Sequence, residues 1–258
     1  MSQTGDHATN DAHSIKPEIK SEIKPETRAR LMHISTATLA TLLFKRGLKN
    51  QFIQNVTRLS KANENMVGQA FTLRYMPARE DRNGIEVFRD RQHPQRQAIE
   101  QCPPGAVMVI DSRKDARAAS AGGILVSRLK ARGVAGIVTD GGFRDSSEIA
   151  LLGIGAYHQR PSAPTNLTLH EAIDINVPIG CGDAPVFPGD VIVGDADGVI
   201  VIPAEIADEV AIEAADMTVF EDFVMISVKH GKSILGLYPP TDPKTLEEFD
   251  AWKKEHGF

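Results

Sequence analysis

Between residues 106 and 152 the chain alternates short apolar runs with helical stretches, and this rhythm constrains the fold more than any other feature. Residues 106–111 (AVMVID) read as a buried strand and residues 122–132 as a helix. Residues 136–140 give a second buried strand and residues 146–152 a short helix. Continuous apolar runs, without a polar residue at every second position, suit strands covered on both faces. A strand–helix–strand–helix order predicts a parallel pair joined by a right-handed crossover.

The flanking segments follow weaker signals. Pro25, with an acid beside it and apolar Leu31, Ile34, Leu39, Leu42, Leu43 and Phe44 downstream, predicts one helix ending at Gly47. Residues 68–76 alternate like a strand, residues 77–94 form a polar excursion, and residues 95–101 a short helix. After Pro161 short β-rich pieces are expected at residues 175–179, 184–187, 190–194 and 198–203. They are divided by Pro188-Gly189-Asp190 and by Asp195-Ala196-Asp197-Gly198, where glycine supplies the positive φ of tight turns. Asp195-x-Asp197-Gly198 lacks the closing glutamate of a calcium loop and reads as a hairpin turn. Residues 203–232 read as a long amphipathic helix. Tyr238-Pro239-Pro240 then opens an extended arm over residues 236–258, of a kind that packs on a neighbouring subunit. Residues 1–24 are polar, with the loose repeat Ile15-Lys16-Pro17-Glu18 and Ile23-Lys24-Pro25-Glu26, and are expected to form a mobile tail ahead of a domain spanning residues 25–235.

Composition narrows the function classes. With 29 Lys plus Arg against 34 Asp plus Glu, interspersed, the chain lacks the basic footprint of a nucleic-acid binder. Cys102 and Cys181 have no metal-ligand spacing, so they read as small core residues of a protein in a reducing cytoplasm. No apolar run reaches the roughly 18–20 residues of a membrane span.

Two features carry chemistry. Gly122-Gly123 opens a helix, where unpaired backbone amides point outward and glycines let an anion approach; a packing turn is the plainer use of the same pair. Arg144-Asp145 follows the second apolar strand. Alone it is a solvated ion pair. Twenty residues separate Gly123 from Arg144, one helix plus one strand, so a helix start and the end of the next parallel strand face one crevice, where open α/β sheets bind ligands. The amides, the guanidinium and the carboxylate can thereby converge on a small anion. His158 and His170 fall near this crevice with no partner at ligand spacing and read as surface or core histidines.

The stretch from Met108 to Glu148, with Val177-Pro178-Ile179, Pro188-Gly189-Asp190-Val191 and the run from Gly194 to Pro203, resembles the RraA-like family. Its enzymatic branch contains the 4-hydroxy-4-methyl-2-oxoglutarate/4-carboxy-4-hydroxy-2-oxoadipate aldolases. The resemblance implies a mixed α/β fold with β/β/α layers, assembled as a homotrimer or homohexamer with its cleft between subunits. It also implies a divalent-metal lyase acting on a 2-oxo acid, by retro-aldol cleavage releasing pyruvate or by oxaloacetate decarboxylation. In that branch Asp145 would hold Mg²⁺ or Mn²⁺, Arg144 would bind the oxo acid and its enolate, and the amides of Ile124 and Leu125, beside Gly122 and Gly123, would take the carboxylate. A neighbouring subunit's acid, at Glu221 or Asp222, would reach the metal, although a solvated helix face is the plainer role for both.

The chain departs from the aldolase signature, an Asp, twenty residues, then Arg-Asp, because Gly123 stands where that first Asp does. Restoring an aspartate there is expected to raise decarboxylation. Family members without the full signature include a regulator that inhibits a ribonuclease by binding it. A metal-dependent dehydratase of a sugar-acid derivative is the other alternative.

Overall fold

The computed structural model describes residues 22–60 and 64–257. Residues 1–21 of the expected tail lie outside them. Its described end is tied to the domain: the Ile23 amide donates to Gln69 Oε1 at 3.2 Å and Lys24 pairs with Asp208 at 2.6 Å.

In chain order the elements are α1 (Pro25–Leu31), α2 (Thr36–Lys45), β1 (Phe52–Ile53), β2 (Thr57–Arg58), β3 (Met66–Pro77), α3 (Pro94–Gln101), β4 (Val107–Asp111), β5 (Ala119–Ala121), α4 (Gly123–Ala131), β6 (Gly136–Thr139), β7 (Gly142–Phe143), α5 (Ser146–Leu151), β8 (Gly155–His158) and β9 (Arg160–Pro161). The second half adds β10 (His170–Ile175), β11 (Ile179–Cys181), β12 (Ala184–Val186), β13 (Val191–Gly194), β14 (Val199–Ile202), α6 (Ala207–Lys229) and α7 (Pro243–His256).

The nine-stranded main sheet runs β1-β14-β13-β3-β4-β6-β8-β2, with β10 also on β3. Its centre, β3, β4, β6 and β8, is parallel as the crossover rule requires. The long strand β3 changes neighbour along its length: Gln69 faces Val191 of β13, Ala70 to Arg74 face β4, and Leu73 to Pro77 face β10.

Period-two alternation sorts the side chains into three cores. Met108 and Ile110 of β4 and Ile137 of β6 point at Ala98 and Ile99 of α3, Val126 and Leu129 of α4, and Ile149 of α5. Val107, Val109 and Val138, on the opposite face, meet Val199 and Val201 of β14 and the β11–β12 hairpin. Ile200 and Ile202 leave that second core for a third, shared with α1, α2 and α6. The curled main sheet thus faces itself across the second core, with α3, α4 and α5 packed on one outer face and α1, α2 and α6 on the other, the mixed α/β fold expected. Cys102 and Cys181 are fully buried and unpaired, as core residues.

Three local expectations need correction. The helix from Pro25 to Gly47 is two helices, because Ser35 caps α2 by accepting from the Thr38 amide at 3.0 Å, and Asn65 Nδ2 donates to the Leu31 and Ile34 carbonyls left open by the break. The strand expected at residues 175–179 is the end of β10 and the start of β11, separated at Asn176, whose φ of 55° turns the chain. The arm is not extended: residues 235–240 fold into turns closed by the Leu237 and Tyr238 amides on the Ile234 carbonyl at 3.1 and 3.0 Å. Asp242 accepts from the Lys244 amide at 3.0 Å and Pro243 occupies the first turn, so α7 forms and packs on α6 of the same chain through Phe249 on Phe220 at 5.0 Å and Trp252 near Phe223 at 5.9 Å.

Asp195-Ala196-Asp197-Gly198 is the hairpin turn between β13 and β14, and its first carboxylate does more than turn the chain. Asp195 accepts from the Thr36 amide at 2.7 Å, the Thr36 hydroxyl at 2.9 Å, the Asp197 amide at 2.9 Å and the Gly198 amide at 3.3 Å, which fastens the hairpin to the first turn of α2. Asp195→Ala is expected to cost about 2 kcal/mol, seen as a melting temperature lower by roughly 4–8 °C in a thermal scan. An unchanged scan would show that these bonds are replaced by water without loss.

Candidate active site

The carboxyl end of β6 and the start of α4 are fastened together by a small parallel sheet, β5-β7-β9, in which Ala121 pairs with Phe143 and Phe143 with Pro161. The Arg144 amide then donates to the Ala121 carbonyl at 3.1 Å, which fixes the guanidinium stem beside the α4 N-terminus. Asp145 follows in the left-handed region, φ 56° and ψ 36°. Aspartate tolerates that conformation better than most residues. Its carboxylate does not cap α5, although it sits at the cap position; it accepts instead from the Gly123 amide, at 3.1 Å. The backbone turn thus redirects a carboxylate from its own helix to the neighbouring one.

Gly122, Ile124, Leu125, Arg144 and Asp145 line one concave cleft of about 160 Å³. Gly123 adjoins it through its bond to Asp145. Arg144 Nε stands 3.6 Å from Asp145 Oδ2, and both side chains keep 49 % and 38 % of their exposure, so the pair is not sealed in mutual neutralisation. The three amides at the helix start differ. Gly123 donates to Asp145 and Leu125 to the Gly122 carbonyl at 3.0 Å, whereas the Ile124 amide has no partner among the described residues. Gly122 is required for space: a β-carbon there would lie 2.7 Å from Arg144 Cγ and 2.9 Å from Asp145 Oδ2.

Gly123 is surrounded by carboxylates. A β-carbon at that position would stand 3.1 Å from Glu148 Oε2 and 3.6 Å from Asp145 Oδ2. The space that an acidic side chain at residue 123 would enter is therefore bordered by Glu148. No group of three or more His, Cys, Asp or Glu side chains suited to a metal occurs among the described residues. Two adjacent carboxylates fit a hard divalent ion of the Mg²⁺ type, which takes one or two protein oxygens and keeps several waters.

Sequence reading missed further residues that line the same cleft: Phe88, Gln95, Arg96, Thr165 and Asn166. The signal was available, since a crossover helix between β3 and β4 starts at the edge where those parallel strands end, the edge that also holds the α4 N-terminus.

The expected neighbour-reaching acid is held within its own chain. Glu221 accepts from the Thr38 hydroxyl at 2.8 Å and the Tyr238 hydroxyl at 3.1 Å, so it is not a solvated side chain, while Asp222 is exposed.

His158 and His170 are buried: His158 stacks on Phe143 at 5.3 Å and His170 on Tyr75 at 5.6 Å. Burial pushes the His158 imidazole down to about 4. The unfolded chain then takes up this proton from pH 6.5 downward and the folded chain only near pH 4, so stability falls as pH drops through that window. Asp140 opposes it. Burial pushes its carboxyl up to about 6, against the pull of the Ser112, Lys114 and Gly182 amides that it accepts at 2.7, 3.1 and 3.1 Å, and its contribution is lost as pH rises from 3.8 to 6. His158→Phe is therefore expected to gain on the parent by roughly 1.4 kcal/mol per pH unit between pH 6.5 and 4, measured by urea unfolding at a series of pH values. A constant difference would show that His158 protonates in the fold as it does in water.

A family model described as RraA-like, Aldolase/RraA, matches residues 34–201, about two thirds of the chain. The chain belongs to the RraA-like family. A relative from Halalkalibacterium halodurans, named "Putative 4-hydroxy-4-methyl-2-oxoglutarate aldolase", is 41% identical over 106 residues, covering 41% of this chain and 50% of that protein. The match thus spans about half the length of that relative. Among solved structures, the fold is similar to Streptomyces coelicolor RraAS2, described as an unusual member of the RNase ES inhibitor RraA protein family, with TM-score 0.69 and 28% identity over 79% of this chain and 97% of the other. It is also similar to an uncharacterized protein from Pseudomonas syringae pv. tomato, with TM-score 0.74 and 21% identity over 86% and 97%, a likeness of fold alone. The matched RraA-like region includes Gly122, Gly123, Arg144, Asp145 and Glu148. No described helix is long and apolar enough to cross a membrane.

Proposed function

We propose that the protein is a lyase of 2-oxo acids that depends on Mg²⁺ or Mn²⁺ and breaks a C–C bond by retro-aldol cleavage releasing pyruvate, by oxaloacetate decarboxylation, or by both. The observation that carries this reading is the half-exposed Arg144 guanidinium in a concave cleft, beside an unpaired helix-start amide and two adjacent carboxylates. The aldolase name borne by the H. halodurans relative agrees with it.

When bound, the divalent ion supplies positive charge next to the oxo acid. The chain's own residues do the rest. The Ile124 amide receives the substrate carboxylate at the positive end of α4. Arg144 lies along the 2-oxo group, and as the C–C bond breaks its electron pair is delocalised onto that oxygen as an enolate, whose charge the guanidinium offsets. In decarboxylation the departing fragment leaves as CO₂; in retro-aldol cleavage it leaves as a carbonyl compound whose hydroxyl proton passes to water as the C–C bond breaks. In both cases the enolate carbon then takes a proton from water to give pyruvate. Asp145 and Glu148 would hold the ion, with Asp145 kept in place by the Gly123 amide.

Assembly as a homotrimer or homohexamer belongs to the same reading, supported by the exposure of Ile124 and Leu151, 85% and 87%, on α4 and α5 beside the cleft. A ribonuclease-binding regulator is the alternative suggested by the description of RraAS2. The experiment that separates them is a coupled assay for pyruvate from oxaloacetate and from 4-hydroxy-4-methyl-2-oxoglutarate. Turnover with Mg²⁺, abolished by a chelator, supports the lyase; no turnover of either acid with Mg²⁺ or Mn²⁺ rejects it.

A further inference from the structure

A larger cavity, about 600 Å³, lies away from the cleft. Its lining includes Gly105 and Ala106, which lead into β4, and Ala70, which stands beside Val107, the first residue of that strand. The cavity is therefore at the amino end of β4, whereas the cleft lies beyond the carboxyl ends of β4 and β6. The five residues of β4 put roughly 17 Å between the two edges, and the two linings share no residue.

Arg28 of α1 is the one basic side chain among the described residues of this lining. Its guanidinium donates to the Gly105 carbonyl and pairs with no carboxylate among the described residues, while burial alone pulls its pKa down. A cation partly withdrawn from water without a counter-charge is costly, and an arriving anion lowers that cost. Glu22 also borders the cavity, but it is exposed and does not pair with Arg28. One cation, with an acid in the same lining, balances a single negative charge and leaves a dianion unbalanced.

The remaining surface is mostly closed to polar recognition. Pro103, Pro104 and Pro188 have no amide hydrogen to donate, and Phe71 adds a ring, so these walls offer apolar contact. Gln69 is already engaged, by the Ile23 amide and the Gly189 carbonyl, each at 3.2 Å. The volume lies within the range of small-molecule pockets, about 300–1,000 Å³.

We infer that this cavity is a second binding site, whose ligand is a monocarboxylate with an apolar body of about two fused rings, the carboxylate meeting Arg28 and the body meeting the prolines and Phe71. The assignment is independent of the lyase reading and of Arg144.

The test is calorimetric titration of the full chain with 2-naphthoate, its neutral analogue 2-naphthylmethanol, and inorganic phosphate. The parent is expected to bind 2-naphthoate at least about tenfold more tightly than the alcohol, the scale of one charge-assisted contact. Arg28→Gln is expected to erase that preference and to leave the alcohol within about twofold, whereas Arg28→Lys keeps part of it. Phe71→Leu is expected to weaken acid and alcohol alike, by about 2–10-fold. Arg144→Gln should leave 2-naphthoate within about twofold. Crystals of the parent soaked with 6-bromo-2-naphthoate should show the bromine in this cavity, a reading that needs no variant to fold. The inference is overturned if the parent binds acid and alcohol equally or binds no 2-naphthoate at millimolar concentration. It is equally overturned if phosphate binds more tightly than 2-naphthoate, if Arg144→Gln and not Arg28→Gln weakens the acid, or if the bromine appears only in the cleft.

Discussion

Replacing Arg144 by glutamine is expected to lower kcat/KM for metal-dependent cleavage of a 2-oxo acid by about 10²–10³-fold, the usual loss when a preorganised donor to a developing oxyanion is removed. The same change is expected to leave the melting temperature within about 1–2 °C, because surface-exposed side chains contribute little to stability. The split follows from position. The Arg144 backbone is held by the Ala121 carbonyl, whereas its half-exposed guanidinium has one loose ionic contact among the described residues, Asp145 at 3.6 Å. The guanidinium is therefore dispensable to the fold and available to a ligand. Lysine should recover only part of the activity, since a single ammonium cannot span a carboxylate and an adjacent oxo group as a planar fork does. Full activity in Arg144→Gln would remove this residue from the chemistry.

Glu148→Gln is expected to weaken Mn²⁺ binding about 10–100-fold, the range found when a group supporting a metal through its bound waters or ligands is lost. Glu148 matters because of what residue 123 lacks. With glycine there, the Glu148 carboxylate borders the vacant side-chain space, 3.1 Å from where a β-carbon would stand. Gly123→Asp adds a third acid to that space, and its β-carbon would also meet Asp145 Cβ at 3.3 Å, so it fits only if Glu148 gives way. The rise in decarboxylation expected from Gly123→Asp should accordingly be larger in the Glu148→Gln background, where the repulsion between close carboxylates is relieved. The double variant is expected to bring Mn²⁺ affinity back to within a few-fold of the parent. Calorimetric titration with Mn²⁺ reads both steps. A Glu148→Gln protein that binds Mn²⁺ as tightly as the parent would show that Glu148 is not at the ion.

The sequence made the centre of this arrangement legible because it is built from the strongest local signals. Buried runs at β4 and β6 with a helix between them dictate a parallel crossover, and the crossover alone brings Gly122 and Gly123 to the same edge as Arg144 and Asp145. What stayed hidden was made of pieces too short to carry periodicity. β5, β7 and β9 are two or three residues each, yet they set the position of Arg144. The break between α1 and α2 depends on Asn65, thirty or more residues away along the chain, and α7 depends on aromatic partners supplied by α6. Gln95 and Arg96 look like any surface pair on a short polar helix; only their place in the lining of the cleft, visible in three dimensions, distinguishes them. The rotation of the Asp145 carboxylate away from its own helix is likewise a property of one left-handed residue and not of its neighbours in sequence.

The most direct measurement is a melting curve with Mn²⁺ and oxalate, a planar mimic of the pyruvate enolate, added singly and together. If Arg144 and the neighbouring carboxylates grip an ion and an enolate in one cleft, the pair at about 100 times its dissociation constant should add about 2.7 kcal/mol, a rise of roughly 5–10 °C. Either component alone should do far less, and Arg144→Gln should abolish the joint effect. A parent protein whose melting is unmoved by saturating Mn²⁺ plus oxalate would contradict the account.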